Sequence, residues 1–351
     1  MRGVVVSKFV DNYTELQVED IPPPKAKKDE VIVQVKAAGV NFVDTLYARG
    51  KHQNNRSLVK PPFTLGLEFA GVVLSAPPSS PSSGSGSHRS FKPGDRVFGG
   101  TLGSYAEQVA APTSGLRPVP DGWSFADAAG LAATLPVSYG ALVTRGRLAP
   151  GETVLVLGAA GGLGCTAVQV AAARGCRVIA LASGAAKCAV ARRCGAHDCV
   201  DATTAAAGPR WWERVLELTG GKGVDVVYDS VGRVDESLKC VAHRGRVLVV
   251  GFAARDESSI EKIAMNRVLL KQVSLIGYRY GESLRRDPEE NARIWEELAP
   301  LIDSGKIKPM VFDKAYNGLE SVPEALNDIS SRKIWGKAVV NISEGSSKAH
   351  L

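Results

Sequence analysis

The sequence predicts an α/β fold in which a doubly wound parallel sheet binds a dinucleotide and a second, β-rich domain carries the chemistry. Three observations support it. Residues 153–182 read as strand, glycine turn, helix and strand. Strands and helices then alternate as far as about residue 280. The first 125 residues, by contrast, are short strand-like runs separated by turn residues.

The nucleotide unit is the most legible stretch. Thr153–Leu157 is an apolar, β-branched run of the length expected for a strand buried on both faces. Gly158-Ala159-Ala160-Gly161-Gly162-Leu163-Gly164 follows directly, Leu163 to Arg174 is alanine-rich and helix-forming, and Gly175 ends it before a second strand at Arg177–Ala182. Glycine at 161 and 162 gives access: a side chain there would hold a pyrophosphate away from the N–H groups and dipole at the helix start. Ala160 stands where the usual fingerprint has its second glycine, so the strand–turn–helix context carries the reading rather than the motif alone. An NAD site places a carboxylate at the end of the second strand, roughly 20 residues beyond the glycines. Here that stretch reads Leu181-Ala182-Ser183-Gly184-Ala185-Ala186-Lys187, with a hydroxyl and an ammonium but no acid. The expected cofactor is NADPH, with Ser183 and Lys187 at the 2′-phosphate.

Upstream, two strands flank the rigid corner Ile21-Pro22-Pro23-Pro24, and Asn41 and Asp44 open a short helix where capping is their plain role. Glu68 lies among apolar neighbours and must find a partner or shift its pKa. Ser75 to Ser90 is a Ser/Pro/Gly insertion that reads as a flexible loop. From Ser124 the pattern turns helical, with an interruption expected at Pro136. Beyond 182, helices are expected near 185–194, 210–219, 234–241 and 291–304, and strands at 198–201, 224–228, 246–250 and 273–277. The last strands, 310–312 and 337–341, should rejoin the first domain. The expected division is 1–125 with 281–351 for the β-rich domain and 126–280 for the nucleotide domain.

Bulk properties exclude several classes. No apolar run approaches the ~20 residues of a membrane span, and Met1–Val10 resembles a first strand rather than a leader, so a cytoplasmic protein is expected. The C-terminal Ala349-His350-Leu351 is a permissive form of a peroxisomal signal. A net charge of +7 suits a phosphate-bearing cofactor and leaves RNA as a secondary partner. All six cysteines lie at or beyond Cys165, with no zinc spacing, so reduced thiols and no metal are expected.

Several segments together, AAGVNFVDTLYARG, PFTLGLEFAGVV, FKPGDRV, GSYAE, GAAGGLG, TGGKGVDVVYDSVG and LIDSGKIKP, span nearly the whole chain. In these the chain resembles the zinc-independent, zeta-crystallin-like quinone oxidoreductases of the medium-chain dehydrogenase/reductase superfamily. The resemblance implies a GroES-like catalytic domain beside the Rossmann sheet, a homodimer, and a cleft for nicotinamide and a flat acceptor. It implies that Asn41 and Leu67 replace the cysteine and histidine of the zinc alcohol dehydrogenases. It further implies Asn41, Asp44, Tyr47 and Tyr139 as catalytic candidates. Thr134, Ala160, Gly161, Gly162, Leu163, Ser183, Lys187, Ser230, Val231, Gly251, Phe252, Arg332 and Lys337, with Asn41, would hold the cofactor. Two departures bear on mechanism: relatives often carry tyrosine at the positions of Leu46 and Ala202. The expected function is NADPH-dependent quinone reduction without a metal. Reduction of activated C=C bonds in an enal, enone or acyl thioester is the alternative, and an NADPH-sensing RNA-binding protein is the rival from another class.

Overall fold

The computed structural model describes residues 1–52, 59–76, 90–204, 210–253 and 261–342; the Ser/Pro/Gly insertion, save its ends, and the C-terminal tripeptide lie outside them. In chain order the strands and helices begin with β1 (Arg2–Val6), β2 (Gln17–Asp20), β3 (Glu30–Val40), α1 (Phe42–Ala48), β4 (Phe63–Thr64) and β5 (Phe69–Ser75). There follow β6 (Arg96–Gly99), β7 (Gln108–Pro112), β8 (Leu116–Pro118), α2 (Phe125–Ala129) and α3 (Thr134–Tyr139). The parallel sheet is built by β9 (Thr153–Leu157), α4 (Gly162–Ala173), β10 (Arg177–Ala182), α5 (Ala185–Arg193), β11 (Asp198–Asp201), α6 (Trp211–Leu218) and β12 (Val224–Asp229). It continues through α7 (Val234–Cys240), β13 (Val241–Val249), α8 (Met265–Lys271), β14 (Ser274–Gly277), α9 (Tyr280–Arg286) and α10 (Pro288–Asp303). The chain closes with β15 (Tyr316–Asn317), α11 (Val322–Ser330) and β16 (Ala338–Asn341).

Two units result: Met1–Ala133 with Pro309–Leu351, and Thr134–Lys308. The division thus falls at 133/134 and 308/309, where the sequence suggested 125/126 and 280/281. Locally, α2 packs on β3 and β5, and α10 packs on α3, so each goes with the sheet or helix it covers. Ser124 starts α2 as expected, its hydroxyl accepting the Asp127 N–H at 3.1 Å, and Gly130 ends it. Pro136 does not interrupt a helix. It sits in the first turn of α3, where a missing N–H costs nothing. The stretch Phe125–Arg145 is long and apolar enough to cross a membrane, but its most apolar window is 72% buried inside the protein, which marks it as core.

In the second unit the sheet order is β11-β10-β9-β12-β13-β14, all parallel. The first strand of the unit, β9, lies in the middle with later strands fanning out on both sides. That arrangement creates a switch point between β9 and β12, beyond the C-terminal strand ends. Leu155, Leu157, Ile179, Val227 and Val247 are fully buried, as helix cover on both faces requires. Asp287 caps α10 through the Glu290 N–H, so that helix starts at Pro288 rather than Asn291.

In the first unit β3 is the spine, pairing with β5, β7 and β16, all antiparallel. Ala338 lies opposite Val40 and Asn341 opposite Ala37, so the C-terminal strand does rejoin this unit. The strand expected at 310–312 is reduced to one bridge, Val311 to Lys337.

The expectation of reduced thiols fails at one pair. Cys188 on α5 and Cys199 on β11 form a disulfide with Cα atoms 5.7 Å apart, because α5 folds back along β11 and faces the two residues together. Cys165, Cys176, Cys194 and Cys240 are buried thiols.

Candidate active site

The dinucleotide elements converge at the C-terminal ends of β9, β10, β12 and β13. Gly158 adopts φ +62°, a conformation glycine takes without strain, and so turns the chain out of β9. Gly161 is the N-cap of α4, and the first turn of that twelve-residue helix carries no side-chain cap. A methyl group on Gly161 would meet only the Gly158 carbonyl, at 3.4 Å, so the space before the helix is a cradle that a side chain would fill. A methyl on Gly164 would stand 2.1 Å from that carbonyl, which explains this glycine as close packing rather than ligand access. Ala160, Gly161, Gly162 and Leu163 therefore occupy a backbone site suited to a pyrophosphate.

The neighbouring loop is set by Asp229. Its buried carboxylate accepts the N–H groups of Val231, Gly232 and Arg233 at 2.7–2.8 Å, and burial raises its pKa against the pull of those bonds. Ser230 and Val231 are held in this way next to Gly158, whose added Cβ would lie 3.0 Å from Val231. Gly251 and Phe252 join them, Gly251 donating to the Asp229 carbonyl at 3.3 Å. Thr134 is buried at the start of α3, its carbonyl accepting from Thr166 Oγ1 at 3.3 Å.

At the end of β10, Ser183 is exposed and Lys187 half-buried on the first turn of α5. One expectation is corrected here: a carboxylate is within reach. Asp201 lies opposite Ala182 in the parallel register, and its Oδ1 accepts from Gly184 N at 2.8 Å, Thr203 N at 2.9 Å and Thr203 Oγ1 at 2.7 Å. These bonds, the Thr203 hydroxyl foremost, hold it below the usual carboxylate range. The sequence hid this residue because parallel register is not written in a strand of four residues.

The first unit holds a second cluster, made of side chains. Asn41 Nδ2 donates to Glu68 Oε2 at 3.0 Å, and Lys337 Nζ contacts both Asn41 Oδ1 and Glu68 Oε2 at 2.5 Å. Glu68 is fully buried; its Oε1 accepts the Ala133 N–H at 2.6 Å, and its own N–H donates to Ser104 Oγ at 3.0 Å. A Cβ on Gly39 would fall 2.5 Å from the same carboxylate, so glycine is what lets Glu68 approach the β3 backbone. Beside it, Asp44 Oδ2 accepts from Asn41 N at 2.8 Å and from the Tyr105 hydroxyl at 2.6 Å. Burial drives the Asp44 carboxyl up to about 6, and burial with the neighbouring carboxylates drives the Tyr105 phenol well up.

Lys337 meets Glu68 and Asn41 and is 3% exposed, whereas the sequence pointed it to cofactor phosphate or ribose. Tyr139 is buried in the second unit, and its hydroxyl donates to Glu297 at 2.5 Å. That bond joins α3 to α10, whereas the sequence offered the hydroxyl as a proton donor. Arg332 is exposed in the first unit, at φ +58° in the turn after α11. Tyr47 is half-buried, its ring against Phe63 and His52. Sequence reasoning does not reach Tyr105; only its place in a strand-like run beside an acidic residue hints at a partner.

Residues 27–121 match the alcohol dehydrogenase GroES-like domain and residues 162–300 the zinc-binding dehydrogenase domain. The chain is 33% identical over 320 residues to a quinone oxidoreductase-like protein 2 homolog of Nematostella vectensis, covering 90% of this chain and 82% of the relative. A probable oxidoreductase from Mycobacterium abscessus superposes with a TM-score of 0.82 at 36% identity, over 97% of this chain and 98% of that one. The quinone oxidoreductase of Thermus thermophilus, solved alone and with NADPH, superposes with a TM-score of 0.81 at 30% identity, over 97% of this chain and all of that one. The chain therefore belongs to the quinone oxidoreductase family of the medium-chain dehydrogenase/reductase superfamily.

Proposed function

We propose that the protein is an NADPH-dependent quinone reductase that works without zinc. The observation that carries the reading is the Asn41 amide, held by charged partners where the zinc relatives place a metal-binding cysteine. Leu67 occupies the histidine position and no cysteine precedes Cys165, so neither a catalytic nor a structural tetrahedral zinc site can be assembled there. Bound NADPH supplies a hydride to an acceptor that is already electrophilic. The cradle at Gly161–Leu163 is fitted to the cofactor's pyrophosphate and the Ser183–Lys187 turn to its 2′-phosphate, in keeping with the NADPH complex of the Thermus thermophilus relative. Asn41 binds and polarises the acceptor oxygen, and a quinone, whose reduced form is a stabilised phenolate, needs no dedicated proton donor.

A homodimer is part of this proposal. Leu269 and Leu270 on α8 are 77% and 75% exposed, and β14 is an edge strand carrying the exposed Leu275. An apolar face beside an open edge supports association with a second copy. Sedimentation should give twice the chain mass, and Leu269→Glu with Leu270→Glu should halve it.

The test of function is NADPH oxidation with 1,4-benzoquinone, 9,10-phenanthrenequinone, an enal and crotonyl-CoA, each repeated with NADH. Quinone turnover with NADPH well above that with NADH is the expected result. Preference for the enal or thioester would replace the quinone reading with C=C reduction. Tight NADPH binding without turnover would replace it with a binding protein.

A further inference from the structure

We propose that Lys337 and Glu68 are positioning residues: their buried ion pair sets the direction of the Asn41 amide and so decides which atom Asn41 offers to an acceptor. The inference rests on the reading of Asn41 given above. Lys337 is 3% exposed and Glu68 not at all. Burying two charges is unfavourable, and an apolar pair of similar volume would fill the space without that cost. The retained charges have a definite geometric effect. Lys337 Nζ, Asn41 and Glu68 close a triangle: ammonium to Oδ1, Nδ2 to Oε2, and ammonium to Oε2. An ammonium only donates and a carboxylate only accepts, so the amide has a single solution, with Oδ1 toward Lys337 and Nδ2 toward Glu68. That leaves the second N–H of Nδ2 as the group Asn41 can turn to a carbonyl or quinone oxygen. Were the amide reversed, it would offer an acceptor where the developing negative charge needs a donor.

The anchor is rigid on both sides. Glu68 is fastened by the Ala133 N–H, and Asn41 is fastened by its own N–H on Asp44. Lys337 immediately precedes β16, the strand that pairs with β3 from Ala338 onward, and its own N–H donates to the Met310 carbonyl at 2.8 Å. The positioning residue thus comes from the far end of the chain, 296 positions from Asn41.

The test compares the wild type, Asn41→Ala, the charge-neutral double variant Glu68→Gln with Lys337→Met, and the triple variant. The double variant leaves no lone buried charge, and Glu68→Gln with Lys337→Leu, equally neutral, serves the same comparison should the double variant fold poorly. In the double variant the new amide at position 68 competes with Nδ2 and the donor on Oδ1 is gone, so the Asn41 amide loses its direction. With 9,10-phenanthrenequinone, kcat of the double variant is expected to fall about 100-fold, as for loss of an oxyanion donor. NADPH Kd, measured by fluorescence, should stay within about twofold, and in the Asn41→Ala background the same two changes should move kcat by less than about twofold. An equal fall in both backgrounds would overturn the inference and leave the Asn41 reading standing. A tenfold rise in NADPH Kd would overturn it in favour of a cofactor contact. Wild-type kcat in Asn41→Ala would overturn both.

Discussion

The two polar regions of this molecule are built on opposite principles. The dinucleotide cradle is made of backbone from one contiguous stretch, with alanines and glycines whose role is to be small. The Asn41 cluster is made of charged and polar side chains from four separated segments, around residues 41–44, 68, 105 and 337, almost all of them sealed from solvent. The first region is cheap to maintain and open to a ligand. The second carries a standing electrostatic cost, and its members hold one another in place, which is what a preorganised site requires.

If that contrast is right, the largest stability effect should come from breaking the charged cluster. Glu68→Ala strands Lys337 without its counter-charge and should cost about 3–5 kcal/mol by urea unfolding. A loss below about 1 kcal/mol would mean that the ion pair does not act as a buried one.

The next effect is a pH signature confined to the same cluster. Burial raises the Asp44 carboxyl to about 6, above the unfolded value of about 4. Between those values the folded protein holds the proton and the unfolded chain has released it. Stability therefore falls as pH rises through the window, by an amount on the order of 3 kcal/mol. Asp44→Asn keeps an oxygen for Tyr105 and the Asn41 N–H, and its stability should be flatter between about pH 4 and 6. Parallel curves for the two proteins would remove Asp44 as a titrating group.

In the nucleotide unit the expected effects are on affinity. Lys187→Ala should raise NADPH Kd about 10- to 100-fold and leave NADH nearly unchanged, since a charge-assisted contact is worth about 1.5–3 kcal/mol. Equal losses for both cofactors would show that Lys187 does not read the 2′-phosphate and would direct attention to Asp201. The smallest effect belongs to Tyr139→Phe. Losing its bond to the exposed Glu297 should cost about 1 kcal/mol of stability with kcat unchanged. A large fall in kcat would return Tyr139 to the catalytic set.

The sequence alone determined what is local. The β9–α4–β10 unit is legible because a buried strand, a glycine turn and an alanine-rich helix each leave a signature within a few residues. The Ser124 cap is legible for the same reason. Tertiary structure alone decided what depends on pairing over distance. Strand register put Asp201 against Gly184, the fold-back of α5 along β11 joined Cys188 to Cys199, and the antiparallel docking of β16 on β3 delivered Lys337 to Glu68. Lys337 in particular reads in sequence as one cation among 43 lysines and arginines on a basic protein. A side chain's charge is fixed by its chemistry, but whether that charge meets solvent, a phosphate or a buried carboxylate is fixed by which strand lies next to it.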